Sequence, residues 1–183
     1  MTKLEANRIE KVEDALITID LSRQILCCRY QGKALETFSI SSGVNGPGEL
    51  ENSGCTPRGW HEVADVIGLD ADINSVFIGR EWTGETYSSL LASQYPNRDW
   101  ILTRIIRLKG LEPGRNSGGG VDTFSRYIYI HGTPDEEKMG LPKSHGCIRM
   151  HNIDVIKLAK WIKYGVRVFV DARRPILREF MPS

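Results

Sequence analysis

Three period-two runs near the start of the chain constrain its fold more than any other feature. Ala15-Leu16-Ile17-Thr18-Ile19-Asp20-Leu21, Ile25-Leu26-Cys27-Cys28-Arg29-Tyr30 and Leu35-Glu36-Thr37-Phe38-Ser39-Ile40 are separated only by Ser22-Arg23-Gln24 and Gln31-Gly32-Lys33. Successive strand side chains face opposite sides, so runs of this period joined by short polar turns read as an antiparallel meander. Strand-like runs recur at 60–67, 75–79, 100–108, 126–130 and 166–170, and residues 41–59 are loop-rich. The clearest helix is Ile153–Tyr164, where Val155, Leu158, Ala159 and Ile162 form one apolar stripe. Asn152 suits its N-cap, Asp154 its first turn and Gly165 its stop. The expected fold is mostly β (α+β), with a few short helices. It forms one domain over residues 14–171, preceded by a charged lead-in at 1–13 and followed by a basic tail at 172–183. Residues 80–100 read as an insertion with a short helix inside 87–94, and Trp82 and Tyr87 are either lid or packing residues.

Lysine plus arginine number 24 and aspartate plus glutamate 23. Such a balance carries no electrostatic footprint for nucleic acid or an acidic membrane. Charges interrupt every apolar pair of the first eleven residues, which lack the apolar run of a secretory signal, and no stretch approaches a membrane span. The localisation expected from this is cytoplasmic, or periplasmic if a leader has been removed. The four cysteines, Cys27, Cys28, Cys55 and Cys147, have neither zinc-ribbon nor redox-pair spacing and read as free thiols.

Chemistry concentrates in one window. The run 126–130 sets Tyr127, Tyr129 and His131 on one face, with Gly132 next as the turning point. Sixteen residues after His131 comes Cys147, preceded by Ser144-His145-Gly146 and followed by the helix. Gly146 permits a tight turn that exposes a sulfur and aims consecutive backbone N–H groups at one spot, as an oxyanion requires. A free thiol is mostly protonated at neutral pH, and a neighbouring imidazole converts it into a far better nucleophile. Spacing alone leaves His131 and His145 both open as that partner. A buried, inert cysteine is the bland alternative, set against three of the chain's four histidines lying near Cys147. Zinc on His145, Cys147 and His151 is another alternative; it lacks a further cysteine or acidic ligand at suitable spacing, and no metal is expected.

His131-Gly132-Thr133-Pro134 followed by Ser144-His145-Gly146-Cys147-Ile148-Arg149-Met150 resembles the signature of the YkuD-type L,D-transpeptidase family. Ile17–Leu26 resembles that family's opening hairpin, and Ser41-Ser42-Gly43 with Thr56-Pro57-Arg58-Gly59 its next conserved segments. The resemblance implies a β-sandwich-like fold of two sheets with the helix after Cys147 packed on them. It implies Cys147 as nucleophile, and His131 as its base, oriented by the carbonyl of Gly132. Backbone N–H groups around His145, Gly146 and Cys147, beside Ser144, would form the oxyanion hole. Arg149 would face the substrate, where a guanidinium suits a carboxylate, unless it serves a structural salt bridge. The implied substrate is a peptidoglycan stem peptide cut between its diamino acid and a terminal D-alanine, with no cofactor.

Water as acyl acceptor gives an L,D-carboxypeptidase, and an amine gives an L,D-transpeptidase. With a cytoplasmic chain, the expectation is a carboxypeptidase trimming tetrapeptide stems during cell-wall recycling. Transpeptidation is the alternative, and a non-catalytic peptidoglycan-binding module or a general cysteine peptidase is more remote.

Overall fold

The computed structural model describes residues 2–172; the basic tail read at 172–183 lies, apart from Ala172, outside the described residues. Ten strands form one continuous hydrogen-bonded sheet: β1 Ala15–Asp20, β2 Ile25–Tyr30, β3 Lys33–Ser39, β4 Gly59–Ile67, β5 Ser75–Ile78, β6 Glu81–Thr86, β7 Ile101–Gly110, β8 Tyr129–Thr133, β9 Ile148–His151 and β10 Arg167–Asp171. The mostly-strand expectation holds. The sandwich-like layering is made by one continuous sheet that curls over on itself, in the order β3-β2-β1-β10-β4-β7-β5-β6, with a branch carrying β8 and then β9 off β7.

The meander forms as the turns dictate: β1 pairs antiparallel with β2, and β2 with β3. Its alternation is the burial pattern itself. Ile17 and Ile19 of β1 and Leu26 and Cys28 of β2 are almost fully buried, while their neighbours face outward. The meander's inner face meets Ile106 and Leu108 of β7 and Ile130, Ile148 and Met150 of the branch in one core. Residues 80–100 contain β6, which extends the sheet beyond β5, as well as the helix α2 Ser89–Gln94.

The main helix, α3, spans Asn152–Trp161 and buries Val155, Leu158 and Ala159, with Ile162 continuing the stripe just beyond it. It ends earlier than expected: Gly165 takes its positive φ of 81° in the following turn. The lead-in is part of the same body. A short helix, α1 Lys3–Ala6, is closed by a Thr2–Glu5 capping box, and Leu4 and Ile9 enter the main core. The indole N–H of Trp161 donates to the carbonyl of Asn7, tying lead-in to α3.

One buried histidine belongs to the scaffold. His61 of β4 lies with Nδ1 3.0 Å from the Gly59 carbonyl and Nε2 3.0 Å from Thr123 Oγ1. Burial lowers its pKa to about 4, against the smaller opposing pull of the Gly59 carbonyl. The unfolded chain therefore takes up this proton first as pH falls, and stability present above pH 6.5 is lost towards pH 4. The loss from this group is on the order of 3 kcal/mol. Denaturant titrations across that window should show the decline, and His61→Gln should flatten it.

Candidate active site

β8 and β9 run parallel, with Ile130 opposite Ile148 and His131 opposite Arg149. Residues paired across a ladder share a face, and alternation assigns the two faces different jobs. Ile130, Ile148 and Met150 point into the main core. His131, Arg149 and, just before β9, Cys147 belong to the other face. There Phe77, Ile105 and Tyr129 form a small apolar cluster, and Cys147 packs against it. Ile105 pairs with His131 from β7. Cys147 and His131 are thus diagonal neighbours, roughly 7–8 Å apart at the backbone, a gap an aromatic side chain can cross.

The strand expected at 126–130 begins at Tyr129, because Tyr127 adopts a positive φ of 59° in the preceding turn. His131 therefore lies inside β8 and is almost completely buried, rather than emerging on a polar face at a strand end. Gly132 does not turn the chain. A Cβ there would come within 2.3 Å of Asn152 Oδ1 and 2.6 Å of the Leu102 carbonyl, so close packing is what requires glycine. Asn152, in turn, is not an N-cap; the capping position is His151, with no side-chain bond. Its amide is buried between Thr103, whose hydroxyl donates to Asn152 Oδ1 at 2.6 Å, and Asn74 Oδ1, which accepts from Nδ2 at 2.9 Å.

The turn before β9 is built by side chains that reach it from two early loops. Thr56 Oγ1 donates to the Gly146 carbonyl at 2.8 Å and accepts the Gly43 N–H at 2.9 Å. Ser41 exchanges backbone bonds with Arg149 on the edge of β9 away from β8. Gly146 has φ 122°, and a Cβ would meet the Cys55 carbonyl at 3.0 Å, so the turn excludes other residues. Ser144 Oγ donates to the Cys147 carbonyl and accepts the Gly146 N–H. That engagement takes Gly146 out of the N–H set expected to receive an oxyanion.

The sulfur lies against backbone. Tyr129 N–H donates to Cys147 Sγ at 3.4 Å, and Sγ–H donates to the Tyr127 carbonyl at 3.3 Å. The Tyr127–Tyr129 segment is itself held by Arg80, whose guanidinium lies 3.9 Å from the Tyr127 ring centroid and donates to Tyr129 Oη at 2.8 Å. Arg126 donates to the Cys55 and Glu49 carbonyls, fastening the loop beneath the turn.

Burial pushes the Cys147 thiol up to about 12, and the Tyr129 N–H offsets only part of that. Burial also lowers His131 below its usual 6.5, against the upward pull of the Gly132 carbonyl and Asp99. The resting pair at neutral pH is therefore thiol and neutral imidazole. Nδ1 of His131 lies 2.7 Å from the Gly132 carbonyl, which can only accept; Nδ1 carries the hydrogen, and Nε2 keeps its lone pair. His145, the other candidate partner, is exposed, and its Nδ1 faces Asp99 Oδ2 at 3.3 Å. Among the described residues, no cluster of three or more His, Cys, Asp or Glu is arranged to hold a metal ion.

Asp99 is the site residue that sequence reasoning missed. It lies between α2 and β7 and pairs with Arg149 Nη2 at 2.8 Å. Burial opposes its ionisation, but His131, Arg149 and His145 together hold its pKa below the ordinary carboxylate value. Its only sequence signal was its place at the end of the segment expected to overlie the site. Trp82 is exposed beside Phe77 on the β5–β6 hairpin, and Tyr87 stacks edge-on against Trp100.

The curled, strand-rich sheet thus presents a cysteine and a histidine on one face. The chain belongs to the YkuD family, the L,D-transpeptidase catalytic domain, whose model matches residues 14–170. A Bacillus licheniformis protein named for the same family, YkuD, is 42% identical over 81 residues, covering 44% of this chain and 47% of that protein. A Bacillus subtilis protein of that name is 40% identical over 62 residues, 31% of this chain and 38% of its own length. These matches span less than half the length of either relative. Among solved structures, an L,D-transpeptidase from Mycobacterium smegmatis superposes with TM-score 0.52 at 15% identity, covering 87% of this chain and 59% of that one. One from Stackebrandtia nassauensis superposes with TM-score 0.52 at 18% identity, covering 92% and 60%. At such identities the likeness is one of fold.

Two outcomes follow from this geometry. Alkylation of Cys147 by iodoacetamide, followed by mass spectrometry, should keep rising with pH well past the ordinary thiol value near ~8.5, with no plateau at neutral pH. Gly132→Ala should cost about 1–3 kcal/mol of stability through overpacking, read by denaturant unfolding.

Proposed function

We propose that the chain is a cysteine acyl-transfer enzyme acting on peptidoglycan stem peptides at the bond between the diamino acid and terminal D-alanine. The observation that supports this most directly is the fixed tautomer of His131, which leaves Nε2 unprotonated on a residue that shares a sheet face with Cys147. In this reading His131 takes the thiol proton as Sγ attacks the carbonyl carbon. The N–H groups of Cys147 and His145 receive the developing oxyanion, since that of Gly146 is occupied. The C–N bond then breaks, the same proton goes to the departing amine, and a thioester remains on Cys147. A half-buried thiol that is neutral at rest makes deprotonation part of the chemical step, with no standing thiolate to be oxidised or alkylated.

The names of the relatives support an amine as the acceptor that resolves the thioester, which is L,D-transpeptidation. Water resolving the same thioester gives the L,D-carboxypeptidase reaction expected in cell-wall recycling, and both share every step up to release of D-alanine.

Mass spectrometry of the protein incubated with a tetrapeptide stem tests the proposal. It should reveal a tripeptide adduct on Cys147 and stoichiometric free D-alanine, then either a cross-linked dimer or free tripeptide. Cys147→Ala should abolish the adduct, and His131→Ala should slow it by about 10²–10⁴-fold. In the wild type, acylation should fall only as pH drops below 6.5, the acid limb being the protonation of His131 at its lowered pKa. Failure to release D-alanine from any stem peptide contradicts the substrate assignment.

A further inference from the structure

The guanidinium of Arg149 is almost wholly enclosed, its side chain 9% exposed, yet it already holds an anion. Asp99 Oδ1 lies 2.8 Å from Nη2, and Glu137 Oε2 stands at 3.9 Å from Nη1. Among the described residues, Nε of Arg149 is buried with no hydrogen-bond partner, so the cation keeps an unused donor. Asp99 is 39% exposed at its side chain, against that 9%, and so lies on the solvent side of the arginine it neutralises. Its second oxygen faces Nδ1 of the exposed His145 at 3.3 Å.

The neighbours of Asp99 are anchored by contacts of their own. Arg98 pairs with Glu85 at 2.7 Å and stacks over Trp100 at 4.5 Å, while Trp100 meets Tyr87 edge-on. The link stays fixed by those contacts whether or not the Asp99 side chain keeps its partner. Rotation of one short side chain would then uncover the arginine.

We propose that Asp99 is an internal occupant of an anion site on Arg149, which an incoming terminal carboxylate must displace. The inference rests on the functional reading above only in taking the ligand's carboxylate to approach Arg149. Like charges cannot share one enclosed guanidinium cheaply, so Asp99 weakens carboxylate binding and makes the pocket tolerant of neutral chain ends. Asp99 is on this account a specificity-determining residue, and Glu137, standing further off, is a lesser contributor of the same sign.

The test uses N-acetyl-D-alanine and its C-terminal amide as probes, titrated calorimetrically at low salt into the full chain carrying Cys147→Ala. Adding Asp99→Asn should tighten the carboxylate probe on the order of tenfold and leave the amide unchanged. The gain should vanish when Arg149→Gln is also present. If Asp99→Asn melts early, Asp99→Ser provides the same comparison with the carboxylate removed. Equal or weaker binding of the carboxylate in a folded Asp99 variant overturns the proposal, because Asp99 would then be holding Arg149 in place for the ligand. The stem-peptide adduct on Cys147 is scored separately with the wild type, so absence of turnover counts against the functional reading and not against this one.

Discussion

The parallel pairing of β8 with β9 is the constraint on which the site depends. Its register sets His131 beside Arg149 and brings Cys147 onto the same face, next to the backbone of Tyr127 and Tyr129. A slip of one residue would send His131 into the main core and bring Ile130 to the sulfur. The fold guards against that slip from both sides. β7 pairs with β8 along one edge, and Ser41 bridges Arg149 along the far edge of β9. Between them, Gly132 lets Asn152 press against the strand at a distance no side chain would allow.

Two kinds of polarity occupy that face. The half-buried thiol and the buried imidazole are both neutral, each driven away from its charged form by loss of water, with a backbone carbonyl fixing the imidazole's hydrogen. Beside them, Arg149 and Asp99 are charged and paired, and the pair turns outward through His145. Keeping the reacting pair neutral lowers the cost of burying it, whereas the arginine needs a counter-ion at all times. Proton transfer and anion handling are therefore carried out by adjacent but separate groups.

Much of this was legible in the chain. Alternation in Ile17–Ile19 and Leu26–Cys28 gave the meander, and the stripe of Val155, Leu158 and Ala159 gave the helix face. The local motif brought out Cys147 and His131, and face assignment by alternation correctly joined His131 to Tyr129. What alternation could not reveal was position along the strand: Tyr127 takes a left-handed turn that no local pattern announces, which shifts the strand start to Tyr129. Asn152 reads as a cap from its place before a helix, but the bulged Thr103 of β7, at φ 70°, captures its side chain. Gly146 looked available to an oxyanion until the Ser144 hydroxyl, two residues away, claimed its N–H. Asp99 was hidden most deeply, because its partners lie about 50 residues on and meet it only through the folded sheet. Local chemistry is written locally; contacts closed by tertiary structure are not.

The central claim is that the scaffold holds His131 neutral, with its hydrogen on Nδ1 and its lone pair left on Nε2. Long-range nitrogen–proton NMR of the histidine side chains measures this directly. At neutral pH the His131 ring should report a protonated Nδ1 and a bare Nε2, titrate below 6.5, and shift its Nε2 signal when Cys147 is replaced by alanine. A ring carrying its hydrogen on Nε2, or doubly protonated at neutral pH, would contradict the account.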